Sequence, residues 1–324
     1  MAEIQWYAAT DSGRFDGTAA ITPRSGAVCL RAELPAGVLQ NAVAALPWTM
    51  THEEKIFMNG YQTWTACPEL GKWDRQHGVE RVPKFLLEKY SFDRYGDYHF
   101  VPYSGKRGQS HGFSYCYFRR GKTYRLLASL DEAPGYTIFS YDSRTAQLRI
   151  ERDCAGVQHT GGSFPAFSLF FAEGTEECEA LLVVDLLRRA KVEVTVASRL
   201  AGYSSWYNRY QNIDEASIQE DLNGCKALFR AGDLFQIDDG WERKVGDWLE
   251  PDPAKFPNGL RPLADASHES GFLAGLWLAP FVCEKESLLC KDHPDWLLQV
   301  DGQPWCCGCN WSSFYALDID HPEV

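Results

Sequence analysis

Two adjacent carboxylates, Asp238 and Asp239, close the run Phe235-Gln236-Ile237 and are followed at once by Gly240 and Trp241. Carboxylates accept hydrogen bonds from hydroxyls, and an indole face packs against C–H-rich surfaces, so the group suits a neutral polyhydroxylated ligand such as a sugar. A phosphate would call for donors instead. Taken locally, Asp239-Gly240 between apolar residues is also a strong hairpin signal, and the local pattern leaves the turn and the binding readings equally open.

The rest of the composition narrows the chemistry. The chain has 324 residues, long enough for two domains of ordinary size, and 45% hydrophobic content fills real cores. A net charge of −12, from 44 acidic against 32 basic residues with no local Lys/Arg cluster, disfavours nucleic acid and anionic membranes as partners. The amino terminus lacks a basic region leading into an apolar stretch, and the longest aliphatic run, Leu181 to Leu187, is interrupted by Asp185; a cytoplasmic protein is expected. Eleven cysteines are scattered through segments that read as core, so most are expected to be reduced and buried rather than a disulfide framework. Cys306-Cys307-Gly308-Cys309, with Cys283, Cys290 and His293, could in principle ligate zinc. Adjacent cysteines fit a tetrahedral site poorly, so no metal is expected. Neither common phosphate-cradling glycine loop nor a His-Glu-x-x-His occurs, and no cofactor is expected.

The elements that must position the carboxylates change character midway. Up to about residue 174 the pattern has period two: Val28, Leu30, Ala32 and Leu34 alternate with Cys29, Arg31 and Glu33, and short runs recur around Tyr115, Leu126, Ile138 and Leu148. This predicts half-exposed antiparallel strands in a β-sandwich-like domain. Asn59-Gly60-Tyr61-Gln62-Thr63-Trp64 lies within it, where Trp64 by itself reads as packing. Thr175 to Lys191 predicts a capped helix with charges complementing its dipole, marking the boundary, and Val192, Val194 and Val196 predict one more strand. The boundaries expected are 1–198 for the sandwich, with its linker helix at about 175–190, and 199–324 for the second domain.

Beyond residue 200 the order becomes strand, helix, strand, helix, strand: Ala201 to Tyr207, a helix capped by Asp214 and closed by Gly232, Asp233 to Asp238, a helix ending at Gly271, and Phe272 to Leu278. Such alternation means parallel pairing, and it weakens the hairpin reading of Asp239-Gly240 because the next regular element is a helix. In parallel α/β architecture ligands bind at the carboxyl ends of strands, where Trp206-Tyr207, Asp238-Asp239 and Trp277 fall together. Neighbouring aspartates there are better placed to grip two hydroxyls of one sugar than to act as acid and nucleophile, whose carboxyls lie about 5 to 5.5 Å apart across a scissile bond in retaining glycosidases.

These residues then become recognisable. Asn59 to Trp64, Ser205-Trp206-Tyr207, Ile237 to Trp241, Gly246-Asp247-Trp248, Lys255 to Leu260, Gly275-Leu276-Trp277, His293-Pro294-Asp295-Trp296, and Leu317-Asp318 with His321 to Val324, in this order and across most of the chain, resemble glycoside hydrolase family 36, the melibiase-type α-galactosidases. The resemblance implies an amino-terminal β-supersandwich, the first part of a (β/α)8 TIM barrel and, in the family, a small carboxy-terminal β domain. Residues 199–324 would then be the first three βα units of that barrel. It implies that Asp238 and Asp239 hold galactose hydroxyls while Trp206, Tyr207, Trp277 and Trp64 wall the pocket. Leu278-Ala279-Pro280 departs from the family's Glu-Pro, which bears on specificity. The family's nucleophile and acid/base are aspartates on the fourth and sixth barrel strands, so both are expected beyond Val324 and no catalytic carboxylate within this chain. Asp318 and Asp320, before His-Pro, read as strand-ending or capping residues rather than substitutes. The function implied is that of a retaining α-galactosidase acting on α-galactoside oligosaccharides through a covalent glycosyl-aspartate. The 324-residue chain alone is expected to be inactive, and a homo-oligomer is expected because in the family neighbouring subunits complete the pocket. A galactosyl transferase of the raffinose-synthase type and a non-catalytic sugar-binding protein are the alternatives.

Overall fold

The computed structural model describes residues 2–21, 25–62, 65–90, 100–190, 200–309 and 311–324, and the chain divides into two compact units, Met1–Pro83 with Gly96–Val194, and Lys84–Tyr95 with Thr195–Val324. Trp64 and the strand expected at Val192–Val196 lie outside the described residues.

The first unit is built from two antiparallel sheets. One runs in the order β2 (Gly13–Ile21), β1 (Ala2–Thr10), β4 (Gly37–Pro47), β11 (Gln147–Asp153), β10 (Tyr136–Asp142), β7 (Gln109–Phe113), with β12 (Gln158–His159) added beside β4. The other runs β3 (Ser25–Leu34), β13 (Gly162–Gly174), β9 (Thr123–Ser129), β8 (Tyr115–Arg120), β5 (Lys55–Met58), β6 (Leu70–Gly71). Alternate residues from both sheets meet in one core: Ile4, Trp6 and Ala8 of β1 and Ile150 of β11 join Leu30 and Ala32 of β3 and Phe118 of β8. Burying every second residue on one face is what period two produces, and it makes this a β-sandwich.

Two strands depart from the half-exposed expectation. Leu127 of β9 and Phe171 of β13 face the sandwich core, while Leu126, Ala128, Phe170 and Ala172 pack against Ala180 and Val184 of the helix α2 (Glu177–Arg189). These strands are buried on both faces because a helix covers the outer one; full burial of a side chain such as Val184 contributes about 1.5–3 kcal/mol. The N-cap of α2 is Glu176, without a side-chain cap hydrogen bond, and not Thr175, but acidic residues do lie in its first turn and Arg188 and Arg189 in its last. Arg188 does more than complement the dipole, since its Nε donates to the Ser129 carbonyl at 2.9 Å.

The second unit, which includes the helix α1 (Lys84–Tyr90), contains a parallel sheet in the order β14 (Gly202–Ser204), β15 (Leu234–Ile237), β16 (Leu273–Leu276), with Gly202 opposite Leu234 and Leu234 opposite Leu273. A short helix α3 (Trp206–Arg209) comes directly after β14, so the first strand ends at Ser204 and not at Tyr207. The crossovers are α4 (Glu215–Leu228) and α5 (Arg261–Glu269). Helix α4 is capped by Asp214 as expected, here in a capping box with Ser217; it ends at Leu228, and Gly232 belongs to the turn beyond, where its N–H donates to the Gly271 carbonyl. Ile218, Leu222 and Cys225 of α4 and Leu263 of α5 pack with Phe235, Ile237, Trp241 and Phe256 into the unit's core. Strand β16 pairs with β15 on one side, and Leu273 and Leu276 are 51% and 43% exposed.

After β16 the expected βα rhythm gives way to a small antiparallel sheet, β17 (Val282–Glu284), β21 (Phe314–Ala316), β20 (Cys306–Gly308), with the hairpin β18 (Gln299–Val300) and β19 (Gln303–Pro304) and the five-residue helix α6 (Leu288–Asp292). Strands of two or three residues carry too few alternations to be seen in a sequence pattern. Among the described residues no helix is long and apolar enough to cross a membrane.

Candidate active site

The parallel sheet brings three of the predicted groups to the carboxyl ends of adjacent strands. Ile237 is the last residue of β15, so Asp238 and Asp239 both stand beyond the ladder and escape the strict up-down alternation that would have sent them to opposite faces. Asp238 is held tightly: its Oδ2 accepts from Ser204 Oγ at 2.8 Å and Gln236 Nε2 at 2.7 Å, its Oδ1 accepts from the Asp239 N–H at 2.9 Å, and its own N–H donates to Ser205 Oγ at 2.9 Å. Asp239 is 2% exposed, and both its oxygens accept from Gln211 Nε2, at 3.2 and 3.1 Å. Gly240, at φ +108°, is required at the next position, because a Cβ there would lie 2.8 Å from the Cα of Gln211. Its carbonyl accepts from Lys255 Nζ at 2.8 Å, and the same ammonium donates to the Gln211 carbonyl at 3.0 Å, tying the two backbone segments together.

The aromatic residues take three different roles. Trp206 is half-buried and meets Tyr210 edge-on at 5.1 Å, whereas Tyr207 is 89% exposed. Their short helix is anchored by Arg209, whose Nε and Nη2 form a bidentate pair with Asp221 of α4 at 2.7 Å each and reach Glu220 at 2.8 Å. Trp277 comes directly after β16, its N–H continuing the parallel ladder to the Ile237 carbonyl at 2.9 Å, and its side chain is half-buried. Trp241 is core rather than pocket: it is 2% exposed, and its Nε1 donates to the Trp277 carbonyl at 3.0 Å.

Several residues that hold this end of the sheet carried no sequence signal. Glu242 is 5% exposed; burial first, and then the neighbouring Asp239 carboxylate, pushes its carboxyl up to about 8. Glu284, on β17, is 2% exposed and accepts from the N–H of Val245 at 3.1 Å and from Ser312 N at 3.2 Å and Oγ at 2.7 Å. A charged residue in a loop or short strand reads as solvated from sequence, so neither stood out; Gln211 was equally silent, while Lys255 lay inside the Lys255 to Leu260 motif.

Other candidates resolve differently. Asp318 Oδ1 accepts from the Asp320 N–H at 3.1 Å and the Asp318 carbonyl accepts from the His321 N–H at 3.0 Å, which makes this pair a turn. The cysteines are less buried than expected: Cys116, Cys154, Cys225 and Cys283 are buried, but Cys29 and Cys178 are exposed, Cys29 because it falls on the outward positions of β3. Burial, with Cys290 and Cys307 close by, pushes the Cys283 thiol up to about 12, so it stays protonated, and among the described residues no group of His, Cys, Asp and Glu is arranged to hold a metal ion. In the sandwich unit a cavity of about 220 Å³ is lined by Tyr61, Phe113, Glu132 and Tyr136, but its polar groups are mutually engaged: the Tyr61 and Tyr136 hydroxyls bond each other at 2.7 Å, and Glu132 accepts from Ser114 Oγ at 3.0 Å and Thr137 N at 2.7 Å.

Residues 184–324 match the Melibiase family model. The chain is similar to the α-galactosidase Mel36A of Lactobacillus acidophilus, 32% identical over 150 residues covering 44% of this chain and 19% of that protein, and to α-galactosidase 2 of Pediococcus pentosaceus, 45% identical over 109 residues covering 31% and 15%. Among solved structures it resembles TtGalA, an α-galactosidase from Thermus thermophilus in complex with stachyose, with TM-score 0.64 and 25% identity over 92% of this chain and 62% of that one. The family 36 α-galactosidase AgaA of Geobacillus stearothermophilus shares the fold with TM-score 0.58 and 17% identity over 96% and 43%. The chain thus spans less than two thirds of the length of each of these proteins. Residues 184–324 thus carry a melibiase domain, and the chain resembles the α-galactosidases of glycoside hydrolase family 36 over part of their length.

Proposed function

We propose that this chain supplies the β-sandwich and the sugar-gripping strand ends of a retaining α-galactosidase, with Asp238 and Asp239 accepting hydrogen bonds from hydroxyls of a terminal α-galactosyl group and Trp206, Tyr207 and Trp277 walling it. One observation carries the reading: two consecutive, nearly buried carboxylates stand just past the central strand of a parallel sheet, while aromatic residues lie just past the carboxyl ends of both flanking strands. Hydrogen bonds to carboxylates in a site this dry are stronger than in water. Consecutive aspartates braced by Ser204, Gln236 and Gln211 are arranged to bind, so bond cleavage through a glycosyl-aspartate is assigned to other carboxylates of the whole enzyme. The substrates are α-galactosides, and the reading sets the enzyme in the cytoplasm.

Calorimetric titration with galactose tests this. The wild-type chain should bind galactose, Asp238→Asn and Asp239→Asn should each weaken binding about ten- to a hundredfold, as loss of a charge-assisted hydrogen bond predicts, and the 324-residue chain should not hydrolyse an aryl α-galactoside. Unchanged affinity in both variants would remove the two aspartates from the site. Turnover by the 324-residue chain would show that cleaving carboxylates lie within it.

A further inference from the structure

Lys255 lies in the loop that leads from β15 to α5, and its main chain is fixed twice. Its N–H donates to the Asp252 carbonyl at 3.0 Å, and its carbonyl accepts at 3.0 Å from the N–H of Glu215, the first residue of α4. Phe256, 1% exposed in the unit's core, anchors the next position. From this base the half-buried side chain donates from Nζ to the Gln211 carbonyl at 3.0 Å and to the Gly240 carbonyl at 2.8 Å. Among the described residues neither carbonyl accepts from any other group, so truncating the lysine would leave two acceptors without a partner. Both carbonyls belong to segments that hold Asp239. Gly240 follows it directly and packs so closely on Gln211 that a Cβ would lie 2.8 Å from the Gln211 Cα. The Gln211 side chain then returns to both Asp239 oxygens, at 3.2 and 3.1 Å. One ammonium therefore cross-links the segment before α4 to the turn after β15, through hydrogen bonds strengthened by its charge.

We propose that Lys255 is a positioning residue: by clamping the Gln211 and Gly240 carbonyls it keeps the Gln211 amide on the Asp239 carboxylate, and so holds that carboxylate in the orientation from which it accepts a ligand hydroxyl. The proposal rests on the reading of Asp239 as a hydroxyl acceptor. Without the ammonium the Gln211 segment draws back from the turn and its amide leaves Asp239. The carboxylate must then be ordered anew each time a sugar binds, which weakens affinity.

Galactose titration of the 324-residue chain tests this in wild type, Lys255→Met, Lys255→Arg, Gln211→Ala and the double variant that combines Lys255→Met with Gln211→Ala. Lys255→Met keeps the side-chain length but no donor and should bind about tenfold more weakly, as should Gln211→Ala; Lys255→Arg, which keeps a charged donor, should stay within about threefold of wild type. Because Lys255 acts through Gln211, the double variant should bind within about threefold of Gln211→Ala rather than about a hundredfold below wild type. A lysine that only stabilised the fold would show neither this coupling nor the rescue by arginine. Nitrogen-15 spectra of lysine-labelled wild type give a readout that stands even where Lys255→Met does not fold. The Lys255 ammonium, assigned by its loss in Lys255→Arg, should be visible at pH 7 because its two carbonyls slow exchange with water. Unchanged affinity in Lys255→Met, additive losses in the double variant, or absence of the ammonium signal overturns the proposal. A wild-type chain that shows the signal and binds no galactose overturns the reading of Asp239 instead.

Discussion

Replacing Glu284 by alanine should be one of the most damaging single changes in the second unit, although no sequence motif marks it. Its buried carboxylate ties the Val245 loop and the turn before β21 to β17 through three accepted hydrogen bonds, at 3.1, 3.2 and 2.7 Å, with Lys244 Nζ 3.5 Å away. Each bond to a charged acceptor contributes about 1.5–3 kcal/mol, but the carboxylate's own desolvation offsets much of that sum. What the truncation leaves behind matters more: the Val245 N–H, in a residue only 1% exposed, loses its acceptor. Removing one member of a buried charged network costs about 3–5 kcal/mol, and Glu284→Gln, which keeps one acceptor oxygen, should cost about half as much. Urea unfolding followed by tryptophan fluorescence reads the loss, and hydrogen-exchange mass spectrometry of the segments holding Val245 and Ser312 localises it. A loss below about 1 kcal/mol for Glu284→Ala, with protection of both segments unchanged, would refute the bracing role.

Three further outcomes are expected. The folded-state carboxyl of Glu242 titrates above its unfolded value of 4.5, so its contribution to stability is fully present below about pH 4.5, declines as pH rises and is gone above about 8; wild type minus Glu242→Gln should show this decline at up to about 1.4 kcal/mol per pH unit, and a flat difference would contradict it. Arg152 sits at 0% exposure in the sandwich core at an inward position of β11, where its Nη2 donates to the Asp131 carbonyl while Nε and Nη1 make no hydrogen bond among the described residues, so Arg152→Met should be neutral or stabilising by about 1–2 kcal/mol in thermal unfolding, and a loss above about 2 would show that the charge is better compensated than this. Asp214→Ala removes the side-chain acceptor of the Ser217 N–H at 2.7 Å and should cost about 1 kcal/mol, measured by urea unfolding; no change would mean that the α4 cap is idle.

What the sequence determined by itself was the order and type of the long elements and the place along the chain of the groups expected to face a ligand. Alternation at Leu30, Ala32 and Leu34 is a statement about which residues avoid water, and burial obeys it. The parallel order of β14, β15 and β16 was legible because helices of crossover length separate them, and that order already set Asp238 and Asp239 at the carboxyl end of a strand. Tertiary structure decided everything that depends on partners distant in the chain. Whether β9 and β13 have one buried face or two depended on where α2 settles. The antiparallel sheet from β17 to β21 exists because β17 and β21, far apart in the chain, pair in space. Whether Glu242 and Glu284 are solvated surface charges or buried members of the site rested on which groups the fold brings to them, for a carboxylate's character is a property of its surroundings rather than of its residue type.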